Sequence, residues 1–273
     1  MTLPHFVPPV PRVLRLVQET VLGRWRAASE DLYREVGRLT EAAAGTEVLV
    51  AGCGDGRTTE WLATRTGAAV TGVDPDGERI AQAEQSARAL AAPLALSYQQ
   101  APLDDLPHET AVFDAAVAEP VLAAAADPER AVRELARVVK PLGAVVLLQL
   151  SWSSDLPADT RDLVVERLGL RPRLLVEWKQ MLRDANLVDI QVQDWTCGAP
   201  GCTPVVFPQA DGAARLSWQD KMQILGRGWR QGGWREARGA VGRELALLRD
   251  LSRERALGFH LIKGVKWPHP TTP

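Results

Sequence analysis

Apolar residues recur every three or four positions through residues 13–44, at Leu14, Val17, Val21, Trp25, Ala28, Leu32, Val36, Leu39 and Ala43. That spacing predicts one amphipathic helix, or two hinged near Gly23. The pattern then changes. EVLVA at 47–51 and AVTGVD at 69–74 are short unbroken apolar runs, which read as strands buried on both faces. Runs at 94–98, after Pro93, and at 113–118 and 144–150 extend the series. Helical stripes lie between them at 58–66, 76–91 and 131–139, with Asp76 and the Asp127-Pro128 pair placed to start two of them and Pro141 with Gly143 to end the last. Five strands alternating with helices predict a doubly wound, mostly parallel α/β sheet with right-handed crossovers. Ligands on such sheets bind at the carboxyl ends of the strands.

Beyond Trp152 the text is less regular. A helix is expected at 174–185 and an alternating strand at 189–195, followed by a Gly- and Pro-rich loop, TCGAPGCTPVVFPQADG. Two helical stripes follow, Trp218, Met222, Leu225 and Trp229, then Trp234, Val241, Leu245, Leu248 and Leu251. GFHLIKGVKW at 258–267 alternates as a last strand.

Composition narrows the function classes. The chain has 273 residues, 46% of them hydrophobic, and a net charge of -2, which excludes disorder and disfavours a protein whose main partner is bulk nucleic acid. Pro4, Pro8, Pro9 and Pro11 predict an extended arm in place of a secretion signal, and no apolar run reaches the ~18 residues needed to span a bilayer, so a cytoplasmic protein is expected. Three Cys make no disulfide scaffold. Nine Trp against four Phe and two Tyr is unusual, and six of those Trp lie at or beyond Trp178.

The sharpest motif is VLVAGCGDGRTTEWL, a strand running through Gly52, Gly54 and Gly56 into a helix. Such a turn lets a ligand approach the backbone with amide hydrogens pointing at it. Asp74 stands at the tip of the second strand, where a carboxylate can accept both hydroxyls of an adenosine ribose. The third glycine of a GxGxxG dinucleotide fingerprint would fall at Arg57, and the spacing here is GxGxG.

On these residues the sequence resembles the class I S-adenosylmethionine-dependent methyltransferases, in particular the type-11 or ubiquinone-biosynthesis-like small-molecule group. GCGDG, VTGVDPDGERIAQAE, APLDDLPHETAVFD and DPERAVRELARVVKPLG match the family's segments in order. The resemblance covers about residues 40–195 and resumes at the last strand. It implies a seven-stranded sheet whose last strand inserts antiparallel, with S-adenosylmethionine as cofactor and S-adenosylhomocysteine as product. It also implies an N-terminal helical lid at 1–44, a core at 45–197 and 257–273, and a helical insertion at 198–256 that caps the substrate. The cofactor-binding positions are then Gly52, Cys53, Gly54, Gly56, Asp74, Pro75, Leu103, Asp104 and Glu119. The chain departs from the pattern at Val50, where the family has an acid, at Pro102, where it has an Asp, at Ala124 and Ala125, and at Leu142 in place of a glycine.

Methyl transfer from a sulfonium is chiefly a matter of alignment, so no obligatory catalytic signature is expected. Glu119, beyond the fourth strand, is the candidate base or acceptor-binding group, against a plain loop acid. Trp25, Tyr33, His108, Trp218 and Trp229 are candidates for the acceptor pocket, against core packing or polar surface. His260 reads as structural and Cys53 as a small packing residue. Cys197 and Cys202 lack further ligands and read as incidental thiols, so no metal is expected. Interleaved Trp and Arg between Leu216 and Arg238 suit an anionic or aromatic acceptor, or a packed helical pair. The expected activity is methyl transfer to a small molecule. The alternatives are a binding protein that has lost the cofactor and a tRNA or other nucleic-acid methyltransferase.

Overall fold

The computed structural model describes residues 30–90, 93–120, 122, 125–152, 156–162, 171–195 and 256–268. Its elements run α1 (Glu30–Thr40), β1 (Glu47–Ala51), α2 (Arg57–Thr66), β2 (Ala69–Asp74), α3 (Gly77–Arg88), β3 (Leu96–Gln100) and β4 (Phe113–Ala118). After these come α4 (Pro128–Val138), β5 (Val139–Trp152), β6 (Arg173–Leu174), α5 (Leu175–Asp184), β7 (Leu187–Asp194) and β8 (Leu257–Lys266). The chain divides into two compact units, one holding Ser29–Ser151, Arg173–Trp195 and Phe259–Pro273, the other the remainder. The first contains nearly all of the described structure. The second is described at Trp152, 156–162, 171–172 and 256–258. No helix among the described residues is long and apolar enough to cross a membrane.

The sheet order is β3-β2-β1-β4-β5-β8-β7, with β6 pairing off this path on β5. β3, β2, β1, β4 and β5 are parallel neighbours. β8 pairs antiparallel with β7, as the resemblance implied. The Lys266 ammonium at the end of β8 donates to the Arg137 carbonyl at the end of α4 and to the Val139 carbonyl at the start of β5, so β8 also runs against β5.

Strand alternation sorts side chains onto two faces. Leu49, Ala51, Val73, Ala116, Ala118, Val145, Leu147 and Ile262 belong to one core cluster with Ala131, Val132 and Leu135 of α4 and Trp178, Met181 and Leu182 of α5. Val48, Val50 and Val117 point to the other face, which α1, α2 and α3 cover. Val50 is fully buried there.

Helix starts follow local chemistry. The Asp76 carboxylate accepts the Glu78 amide and Asp127 accepts that of Arg130, with Pro128 in the first turn of α4. α1 buries Leu32, Val36 and Leu39 as one stripe.

Several boundaries differ from the sequence reading. β3 lies two residues later than expected, because pairing with β2 runs from Val70↔Leu96 to Asp74↔Gln100 and recruits polar Gln99 and Gln100 at the sheet edge. β5 starts at Val139, directly after α4, and carries Pro141 and Gly143 inside it through a register shift between Phe113 and Ala115. Leu142 there adopts a φ of 67° and is exposed. The two-residue β6 has no counterpart in the sequence reading, and β7 starts at Leu187, two residues before the expected strand. Residues 13–29, the 196–255 stretch and, within it, Cys197, Cys202, Trp218 and Trp229 lie outside the described residues, as does Trp25.

Candidate functional site: a self-bonded glycine turn and two buried carboxylates

The glycine turn leaves β1 at its carboxyl end with Gly52, Gly54 and Gly56 at φ values of 74°, 55° and 85°. Only glycine adopts this left-handed region without cost. Gly56 is doubly constrained, because a Cβ there would lie 2.7 Å from the Tyr98 hydroxyl and 3.0 Å from the Ala83 side chain. Tyr98 reaches this place from β3 and packs over Gly72, where a Cβ would stand 2.8 Å from its ring and 2.9 Å from the Cys53 sulfur. Burial pushes its phenol pKa up. Cys53 is buried and packs as a small residue, as expected.

The turn uses its amides internally. Gly52 N and Cys53 N both donate to the Val73 carbonyl at 2.7 and 3.1 Å, Gly56 N donates to the Cys53 carbonyl, and Gly54 N donates to Asp74 Oδ2 at 2.9 Å. The expectation that these amides point at a ligand is therefore corrected, because the second strand takes those of Gly52, Cys53 and Gly54 and the turn itself takes that of Gly56. What faces a ligand is bare backbone without Cβ atoms.

Asp74 is 2% exposed, and its second oxygen, Oδ1, accepts the Asp76 amide at 2.9 Å. Each carboxylate oxygen thus holds one backbone bond and keeps further accepting capacity. Pro75 is exposed beside it, and its carbonyl accepts from the Gln100 amide at 3.1 Å.

Glu119, one residue past β4, is 1% exposed and accepts a short hydrogen bond from the Thr58 hydroxyl at the start of α2. Its amide donates to the Ala51 carbonyl and its carbonyl accepts from Gln149 Nε2 at 3.0 Å. By strand alternation its side chain shares the face of Val50 and Val117, the face of the glycine turn. The reading of Glu119 as a plain solvated loop acid is overturned by this burial.

The other candidates are dispersed. Leu103 is buried in the α4–α5 core, while Asp104 is partly exposed. Tyr33 is buried against Trp61 of α2, ring centroids 5.7 Å apart. His108, a candidate for the acceptor pocket, stands instead at the amino ends of the strands. It lines a cavity of about 400 Å³ with Glu47, Ala69, Thr71 and Phe113, which include the first residues of β1, β2 and β4. Edge-on packing on Phe113 at 5.0 Å holds the ring there, and Arg137 donates to the His108 and Leu106 carbonyls. Burial and Arg137 lower the His108 pKa.

The residues fit an adenosylmethionine-like ligand on geometry alone. Two buried carboxylates suit a ligand carrying positive charge and ribose hydroxyls, whereas a diphosphate would need the amides that Val73 and Asp74 already occupy. Sheet order and cradle together define a class I S-adenosylmethionine-dependent methyltransferase domain. Residues 49–147 match the family model described as "Methyltransferase domain", and this part of the chain belongs to that family.

Among curated relatives, an "O-methyltransferase resE" of Aspergillus sclerotiorum is 31% identical over 48% of this chain and 49% of its own. A "Ubiquinone biosynthesis O-methyltransferase" of Methylocella silvestris is 31% identical over 63% of this chain and 66% of its own. The chain thus spans about half to two thirds of the length of these relatives. The solved structure of the "[4+2]-Cyclase SpnF" shares the fold, with a TM-score of 0.66 at 20% identity over 87% of this chain and 81% of that one.

Proposed function

We propose that the chain transfers the methyl group of S-adenosylmethionine to a hydroxyl of a small molecule, the methyl–sulfur bond breaking to leave S-adenosylhomocysteine as the methyl–oxygen bond forms and the hydroxyl proton passing to water. The observation that carries this reading is the self-bonded glycine turn flanked by Asp74 and Glu119. When bound, S-adenosylmethionine supplies a methyl group already activated on a sulfonium. Asp74 accepts the two ribose hydroxyls with the capacity left on its oxygens. Gly52, Gly54 and Gly56 allow the nucleoside to lie against backbone. Pro75, Asp104 and the main chain of Leu103 border the base.

Glu119 holds the cationic amino-acid end of the cofactor. It stands on the same face as Val50, which supplies no charge, and Thr58 fixes its carboxylate. This role suits it better than that of acceptor base, because its side chain points into the glycine-turn face. The relatives, both O-methyltransferases by name, favour oxygen as the accepting atom. The enzyme is cytoplasmic.

Titration calorimetry with S-adenosylhomocysteine tests the reading. A dissociation constant of roughly 1–100 μM is expected, and heat-silent mixing up to millimolar ligand would overturn it.

A further inference from the structure

Among the described residues, one group of buried polar atoms without a hydrogen-bond partner lies on β5, β8 and the helix over them. Gln149 and Ser151, both 0% exposed, stand two positions apart at the carboxyl end of β5. They continue the alternation of Val145 and Leu147, so they point to the α4–α5 face. His260, 7% exposed, alternates with Ile262 of that same cluster. It sits near the start of β8, the end that lies beside the carboxyl end of β5 because the two strands run oppositely. Gln149 Nε2 is committed to the Glu119 carbonyl, which leaves Oε1 without a partner. Ser151 Oγ and His260 Nδ1 are in the same condition, and so is the indole Nε1 of Trp178, one turn into the helix that covers this face.

Buried side chains of this kind are nearly always hydrogen-bonded in folded proteins, and leaving several dry in one place is costly. Such a cost is retained where a ligand completes the bonds. The set is also chemically specific. It offers one carbonyl acceptor, one hydroxyl, one imidazole nitrogen and one indole donor, all uncharged. Burial lowers the His260 pKa, against the opposing pull of Asp194 across the β7–β8 pair, so the imidazole is neutral at neutral pH. A phosphate or carboxylate would find no countercharge in these groups, whereas a hydroxyl beside a carbonyl or a second hydroxyl finds both donors and acceptors.

We propose that Gln149, Ser151 and His260 form the subsite for the hydroxyl-bearing end of a neutral acceptor, such as a phenol or an enol. The main chain of Glu119 ties this subsite to the cofactor face through Gln149, so acceptor and cofactor approach the end of β4 from opposite faces of the sheet. The subsite rests on the methyl-transfer reading, since that reading supplies the reason for an acceptor to be there.

Phenol, catechol and benzene serve as probes, titrated into the full chain saturated with S-adenosylhomocysteine while the side-chain amide of Gln149, the imidazole of His260 and the indole N–H of Trp178 are followed by nitrogen-15 NMR. Phenol and catechol are expected to shift all three in the millimolar range, benzene at least fivefold more weakly. Ser151→Ala and Gln149→Met are expected to weaken the phenol response about tenfold, and Ser151→Ala to leave the S-adenosylhomocysteine affinity within twofold. Ser151→Ala is also expected to raise the thermal midpoint of the unliganded protein, which loss of a purely structural hydroxyl would not do. Unmoved resonances, equal binding of benzene, or unaltered phenol binding in both variants overturns the subsite. Loss of S-adenosylhomocysteine binding in the unmutated chain instead strikes the cofactor reading, so the two failures are distinguishable.

Discussion

The Gly54 amide donates to Asp74 Oδ2 at 2.9 Å, tying the first turn of the fold to the tip of the neighbouring strand. Asp74 thereby shapes the cradle as well as, in the proposed function, contacting its ligand. Asp74→Ala removes both roles and is expected to weaken S-adenosylhomocysteine by roughly 30-fold or more, about 2 kcal/mol. Asp74→Asn keeps one carbonyl oxygen and should fall between. Calorimetry on the three proteins checks the order, and an Asp74→Ala affinity within threefold of the unmutated chain contradicts it.

Gly56 and Tyr98 form a second coupled pair. Gly56→Ala meets the Tyr98 hydroxyl and also bears the cost of a φ of 85°, about 1–2 kcal/mol on its own. The variant is expected to lose more than that in urea denaturation. Adding Tyr98→Phe removes the hydroxyl and should recover the steric part alone. A double-mutant cycle showing strict additivity would refute the contact.

Leu142 occupies a left-handed backbone position with its side chain 68% exposed, so it accepts strain while burying little. Leu142→Gly is expected to stabilise the protein by about 1 kcal/mol, because the conformation suits glycine and the lost contacts are few. Urea midpoints at constant m-value measure it, and a lower midpoint is the contrary result.

His260 gives stability a pH dependence. Its folded pKa is lowered by burial, so the unfolded chain binds the proton first as pH falls. The stabilisation is full above the ordinary histidine pKa of about 6.5 and declines as pH drops from there through the lower folded value. His108 acts in the same direction. His260→Gln should flatten part of this acid limb in thermal melts between about pH 7 and 5. An unchanged profile assigns the limb to other groups.

Where burial was uniform, the sequence carried the fold in readable form. β1, β2 and β4 match the expected bounds residue for residue, because central parallel strands are continuous apolar runs closed by glycine or an acid. β3 was displaced because it is an edge strand whose Ser97, Gln99 and Gln100 face outward and leave no apolar signature. The turn and Asp74 were legible as a motif, but the direction of the turn's amides was not, since it depends on the Val73 carbonyl, 21 residues from Gly52. Tyr98 beneath the turn was missed for the same reason. Two glycines, Gly56 and Gly72, were the available clue that something large lies over them. His260 looked structural as a lone strand histidine. Its relation to Gln149 and Ser151 exists only once β8 is placed beside β5.

That placement also orders the folding of the chain. β8 fills the gap between β5 and β7, yet more than sixty residues separate it from β7. Until residue 266 is available, β5 and β7 each present a bare edge, and the Arg137 and Val139 carbonyls lack the Lys266 ammonium. Sheet closure must therefore await synthesis of residues 257–266, and pairing across so long a sequence separation makes the step slow. A nascent or truncated chain ending before Leu257 would carry two adhesive strand edges, and its natural failure is aggregation rather than a smaller folded enzyme.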